Sequence, residues 1–454
     1  MTGISAGDAI AVRPVGQPPS DEAHRPFLVA SLAMATLVGF VLGIHVPLGR
    51  LLDAGSPERT ADLVHTHGQV QLLGFAGLFV IGMSLRLMPR FAGSRVALPA
   101  LVPMTLWLLV GGLLMRALVL PWLSGDTHGV LLAVSALFVL CGSGCFLLMV
   151  FSTVAVDARR FDASSLAFIS GASLLFAASV AGALGTIKAV DAGMRSLPYL
   201  TNNAVLQTEL FGFLMLFILG VALRAIPAMV GLPRPGRSAF LLAVTLATAV
   251  TVLAGSLLYL EYASYERVVV VVADAAFFVL GCMLLALAWQ AGALRQAANR
   301  LRPASQPHLW LVRSAFVWLV IAGILTCYFG AASIAETRLP GVLEFDAVRH
   351  AIGAGTVTML IAGMSLMILP EFAGDRMTVN RQNQLAMALV LLLNAAAALR
   401  VLPSLAGARW SVDERNLSMA LAGSLAEAAL LAFTVYLFRL MWRSRKAYGG
   451  THGI

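Results

Sequence analysis

The sequence predicts an all-α, polytopic membrane protein of twelve transmembrane helices built as three four-helix repeats, and three observations predict it. The chain is 59% hydrophobic and 12% charged, with a mean hydropathy of +0.87, far from the roughly 45–50% apolar and 25% charged of a soluble domain. Apolar runs of about twenty residues recur along it, each long enough at about 1.5 Å per residue to cross a bilayer's hydrocarbon core. Finally, one template returns in fixed register. Gly74, Gly82 and Pro89 are each followed 138 positions later by Gly212, Gly220 and Pro227, and these a further 143 positions on by Gly355, Gly363 and Pro370. Three residues keeping one spacing three times indicate a threefold internal repeat.

Taken in order, the apolar runs place helices near 27–49, 66–89, 98–121, 129–155, 165–187, 204–228, 239–260, 267–291, 310–333, 348–370, 383–403 and 416–441. The template falls on the second, sixth and tenth, so the repeats cover about 27–155, 165–291 and 310–441. Residues 27–442 then form a single transmembrane domain between a polar tail, 1–26, and a basic one, 443–454. The first tail lacks the basic, apolar, small-residue order of a cleaved signal and reads as disordered. The longest linker, Gly292 to Leu309, is too short to bury a core.

The pI near 9.9 raises nucleic-acid binding, but the excess arginine lies in short loops between apolar runs, which points to membrane orientation instead. The two tails and the loops that follow even-numbered helices hold most of it, including Arg13, Arg90, Arg95, Arg159, Arg160, Arg300, Arg302, Arg376, Arg443 and Arg445. The other loops hold fewer cations, such as Arg50, Arg59, Lys188, Arg195, Arg338 and Arg349. Both termini are therefore predicted to be cytoplasmic. Cys141, Cys145, Cys282 and Cys327 all fall inside apolar runs, with no CxxC spacing to indicate a disulfide framework or a zinc site.

The histidines follow the same division. His45, His65, His67, His128 and His350 fall at the predicted outer ends of helices, while His24, His308 and His452 lie on the cytoplasmic side. Imidazole is the commonest protein ligand for iron and copper, and His67 and His350 form the leading pair. His67 stands seven residues before Gly74 and shares its helical face, and His350 stands five before Gly355. Two such imidazoles facing each other across a bundle could hold a haem iron axially; histidines at a membrane mouth also serve simply as partners for headgroups or carbonyls. His65, about 200° round the helix from His67, is a supporting residue or a separate metal ligand, so the candidate metal set is His65, His67 and His350.

Charges inside apolar spans are few, and such charges are functional by default. Arg116 and Arg400 lie at the outer ends of helices three and eleven, where a haem's two carboxylates would need cations; a structural ion pair is the alternative. Glu209 and Gln207 stand at the mouth of the middle repeat, which has Asn202 and Asn203 and no histidine. A proton-handling carboxylate and an interhelical hydrogen bond both fit Glu209. Asp274, in the middle of its helix, is expected to be buried against a partner, and Glu427 is a further charge within an apolar span. Met83, Met88, Met364 and Met367 on the template helices read as packing, with a copper-conducting ladder as the other option.

Twelve helices in three arcs, with a histidine opening helix two and another opening helix ten, resemble subunit I of the haem-copper oxidase and nitric oxide reductase superfamily. The chain departs from that pattern in helix seven, which has no histidine pair, in helix six, with asparagines where a copper ligand is expected, and in helix ten, with one histidine instead of two. A closer resemblance is to the NnrS family of bacterial membrane proteins. It rests on His65, His67, Gly74, Phe75 and Pro89 in helix two, and on His350 and Gly355 followed by Ala373-Gly374-Asp375-Arg376 around helix ten. That resemblance implies a multi-pass protein of the bacterial cytoplasmic membrane, haem, with or without copper beside it, and a role in the response to nitric oxide. With both axial positions filled the haem would carry electrons, which calls for a redox partner protein, or would sense; with one open it would bind nitric oxide. A carrier of copper, haem or a small solute, and an oxidase-like enzyme with an unrecognised second metal, are the rival readings.

Overall fold

In the computed structural model, which describes residues 23–54, 56–154, 161–230, 232–295, 307–373 and 379–449, the protein is all-helical, and no strand occurs among the described residues. The polar N-terminal segment before residue 23, Arg159, Arg160, Arg300, Arg302, Gly374-Asp375-Arg376 and His452 lie outside them. Among the described residues, twelve helices are long and apolar enough to cross a membrane. They are α1 (Arg25–Leu51), α2 (Arg59–Ala92), α3 (Leu101–Trp122), α4 (Gly125–Val154), α5 (Ala163–Asp191), α6 (Tyr199–Ala228), α7 (Arg237–Tyr262), α8 (Arg267–Ala291), α9 (His308–Glu336), α10 (Val342–Pro370), α11 (Gln382–Ala406) and α12 (Val412–Met441). Every apolar run of the sequence becomes one of them, and the chain is a polytopic membrane protein. Large apolar side chains such as Leu37, Trp107, Val268 and Trp289 are left exposed, as befits a surface solvated by lipid.

The helices sort into an inner and an outer set. In the apolar windows of α2, α6 and α10, 67%, 78% and 72% of residues are buried, against 33% to 56% in the other nine. Around these three the outer helices pack in sequence: α3 on α4 and α4 on α5, α7 on α8 and α8 on α9, α11 on α12, and α12 back onto α1. The remaining joints bypass an inner helix, α1 reaching α3, α5 reaching α7 and α9 reaching α11.

Template glycines let inner and outer helices approach. A Cβ on Gly82 would stand 2.7 Å from Phe27 of α1, one on Gly220 2.8 Å from Phe168 of α5, and one on Gly363 3.0 Å from Leu311 of α9. Small residues at such crossings are the usual device of membrane helix packing. Each inner helix also widens into a π-helical stretch around its first template glycine, over Val70–Gly77, Thr208–Leu214 and Ala351–Val357. Thr208 lies 138 positions after Val70 and Ala351 143 after Thr208, the spacing the glycines keep.

The inner helices begin earlier than their apolar runs. α2 belongs to a helix that starts at Pro57, where the Ser56 hydroxyl accepts from the Arg59 amide at 3.3 Å. α10 starts behind Gly341, whose amide donates to the Glu344 carboxylate at 2.5 Å. Capping carries the helix through polar residues that hydropathy alone would exclude, and these added turns hold much of the polar chemistry described below.

Gly355 tests the close packing. A Cβ there would lie 2.6 Å from Cγ of Trp318, and that indole is fixed by its Nε1–H donating to Asn394 at 3.0 Å. Gly355→Ala is expected to destabilise the purified protein in detergent by about 1–3 kcal/mol. Gly255→Ala, with nothing within 4 Å of the added Cβ, is expected to be neutral or mildly stabilising; thermal unfolding of the two variants makes the comparison.

Candidate functional site

A cavity of about 190 Å³ opens where α2 and α10 enter the bundle, walled by α1, α2, α6, α10, α11 and α12. His67, His350 and Arg400 all line it, among apolar side chains such as Phe40, Leu72, Phe75 and Leu214. The leading histidine pair is thus brought to one space.

His67 is held by α1. Its Nδ1 lies 2.9 Å from the Gly39 carbonyl, at the end of a π-helical stretch, Ala35–Gly39. One turn on, Gly43 leaves room for the ring: a Cβ there would stand 3.1 Å from Cε1 of His67. A carbonyl can only accept, so the proton sits on Nδ1 and the Nε2 lone pair of the neutral ring is free. His350 repeats the arrangement within its own helix. Its Nδ1 lies 2.8 Å from the Asp346 carbonyl one turn earlier and 3.2 Å from that residue's Oδ1. Tying one ring nitrogen to a carbonyl or carboxylate is how ligating histidines are oriented.

Asp346 is the hub of this side of the cavity. Arg400 of α11 donates to it through both terminal nitrogens, at 3.0 and 3.1 Å, and Ser404 donates at 2.8 Å. The fork geometry fixes α10 against α11 and leaves Arg400 with its charge matched. Arg349, which also lines the cavity, donates to Asn203 of α6. Neither Asp346 nor Arg349 stands out in the sequence as a site residue. The available signal was the i, i+4 spacing of Asp346 and His350, which puts a carboxylate one turn below the ring on one helical face.

The other face of α2 carries a separate polar cluster. Asp62, His65 and Gln69, spaced i, i+3 and i+7, are buried there. Arg195 donates to Asp62 at 3.3 Å and His128 of α4 approaches the same oxygen at 3.6 Å. Gln69 donates to Glu209 of α6 at 3.3 Å. The buried Arg116 lies within electrostatic reach of His65, Asp62 and Glu209. Neither Arg116 nor His65 lines the cavity of His67 and His350. Equivalent ends of helices three and eleven therefore place Arg116 and Arg400 in different surroundings. Among the described residues, no three His, Cys, Asp or Glu side chains are grouped so as to hold a metal ion. Asp274 is fully buried on α8, neither of its carboxylate oxygens meets a hydrogen-bond partner, and Arg338 and Glu344 lie within electrostatic reach of it. Glu427 also lies away from the cavity lining.

The Asp346 hub supports a double-mutant cycle. Asp346→Asn and Arg400→Gln are each expected to lower stability by about 1.5–3 kcal/mol, the range for hydrogen bonds to charged groups. The double variant is expected to lose less than the sum, with a coupling of about 0.5–3 kcal/mol, read from denaturation midpoints in detergent.

No curated protein matches the chain. A family model described as NnrS protein matches residues 18–445, almost the whole chain, including both histidine helices and every wall of the cavity. With that extent of match the chain belongs to the NnrS family.

Proposed function

We propose that this NnrS-family protein binds haem between His67 and His350 in a bacterial cytoplasmic membrane, with both termini cytoplasmic, and acts in nitric oxide tolerance. The observation that carries the reading is the matched pair of imidazoles: two inner helices each bring one to the same cavity, and each has its Nδ1 occupied so that Nε2 is left for a ligand. The residues fit the group. Apolar side chains make up most of the wall, Arg349 adds positive charge suited to a haem's carboxylates, and Arg400, matched by Asp346, would reach them only by sharing its donors. Bound there, a haem would supply one-electron chemistry or a coordination position for nitric oxide. The chain's own contribution is to fix the tautomer of both rings, to hold the rings against rotation, and to keep the pocket largely apolar.

We extend the same proposal to the architecture, as a threefold repeat of four helices in a haem-copper-oxidase-like arrangement. It is supported by three inner helices at equivalent positions, π-helical stretches opening at the glycine spacing, and outer packing that follows one scheme from each four-helix group to the next.

The purified protein is expected to show a Soret band that is lost or shifted in His67→Ala and in His350→Ala, and retained in His65→Ala, whose ring lies on the other face of α2. Protein isolated without iron, and unable to take up added haem, would end the reading. Vesicle uptake of copper that is lost on changing His67 and His350, with no Soret band, would establish the carrier in its place.

A further inference from the structure

Across the π-helical stretches from the histidines, the three inner helices line a second, partly open cavity of about 110 Å³. Every lining residue comes from α2, α6 or α10, and all are apolar except Ser84 and Ser365. The walls use the repeat register. Met83, Val221 and Met364 occupy one set of equivalent positions, and Ser84, Ala222 and Ser365 the next.

The two hydroxyls differ. Ser84 donates to the Ile81 carbonyl at 2.7 Å, whereas Ser365 is 1% exposed and its Oγ has no partner. A buried water needs about three hydrogen bonds, and a single uncommitted hydroxyl does not supply them. Charged solutes are excluded more strongly, since nothing here offsets their loss of hydration. A small apolar molecule faces neither cost: an engineered cavity of about 150 Å³ lined by similar side chains stays dry and takes up benzene or xenon.

We propose that this chamber is a binding site for a small neutral molecule of about diatomic size, held by apolar contact and by at most one hydrogen bond, from the Ser365 hydroxyl. Dioxygen, nitric oxide and xenon share that chemistry. The site needs no metal and shares no lining residue with the histidine cavity, so it is testable whether or not the protein carries haem.

The test uses the full-length protein in lipid nanodiscs, labelled at methionine methyl groups with carbon-13 and titrated with xenon under pressure. The methyl signals of Met83 and Met364, identified by their loss in Met83→Leu and Met364→Leu, are expected to shift and saturate. That of Met149, buried in α4, is expected to stay in place. Ala222→Phe fills the chamber and should abolish both shifts. Where that variant does not fold, Val221→Met completes the methionine ring, narrows the space and should reduce them. Shifts at Met83 and Met364 that do not saturate, that match Met149, or that persist unchanged in a folded filling variant would overturn the proposal.

Discussion

Two backbone carbonyls, those of Gly39 and Asp346, decide which nitrogen each cavity histidine presents. By accepting from Nδ1 they remove that atom from further chemistry and aim Nε2 away from its anchor. The anchors differ in kind. For His67 the carbonyl belongs to α1, so the ring's orientation depends on the close approach that Gly43 allows. For His350 it belongs to the preceding turn of α10, reinforced by a carboxylate that α11 holds through Arg400 and Ser404. The site is thus set by helix packing on one side and by an ionic fork on the other.

The two faces of α2 show why the bundle tolerates so many buried polar groups. A charge taken from water into the interior is costly unless paired and hydrogen-bonded. Asp62 meets Arg195 and His128, Asp346 meets Arg400, and Glu209 meets Gln69. These contacts join α2, α4, α6, α10, α11 and the segment before α6, so each charge is met by a different part of the chain. Removing one partner leaves another charge exposed to the apolar interior, which makes these pairs determinants of helix placement as well as of charge balance.

Much of the architecture is legible in the sequence because lipid imposes one rule on every span: about twenty apolar residues. The register of Gly82, Gly220 and Gly363 is legible for a related reason, since backbones that touch admit no side chain. The beginnings of α2 and α10 were harder to place, because caps at Ser56 and Gly341 extend each helix into polar residues that hydropathy leaves outside. Asp346 sits in such a turn, before the apolar run that opens near residue 348, whereas Arg349 lies at the start of that run and reads there only as a loop cation. Arg116 shows a second limit. Its depth can be read from the helix, but whether it turns to His350's cavity or to Glu209 depends on rotation about the helix axis, which only the packed neighbours fix.

A common backbone plan and divergent side chains also explain how one trio of helices makes two unlike chambers. The π-helical stretches begin at equivalent residues in α2, α6 and α10, and π-helical turns gather at functional sites in many proteins. On one side of them the mouth positions carry His67 and His350 in two helices and no histidine in the third, whose nearest carboxylate, Glu209, lies within the π-helical stretch itself. On the other side the equivalent positions stay small or apolar in all three. The three helices keep one spacing of glycines and π-helical stretches, while their mouths differ in side chains: two carry an imidazole that lines the cavity and the third carries none. In α6 the Glu209 carboxylate meets Gln69 of α2 and lies within electrostatic reach of Arg116, so this helix places its charged group outside the cavity that His67 and His350 line.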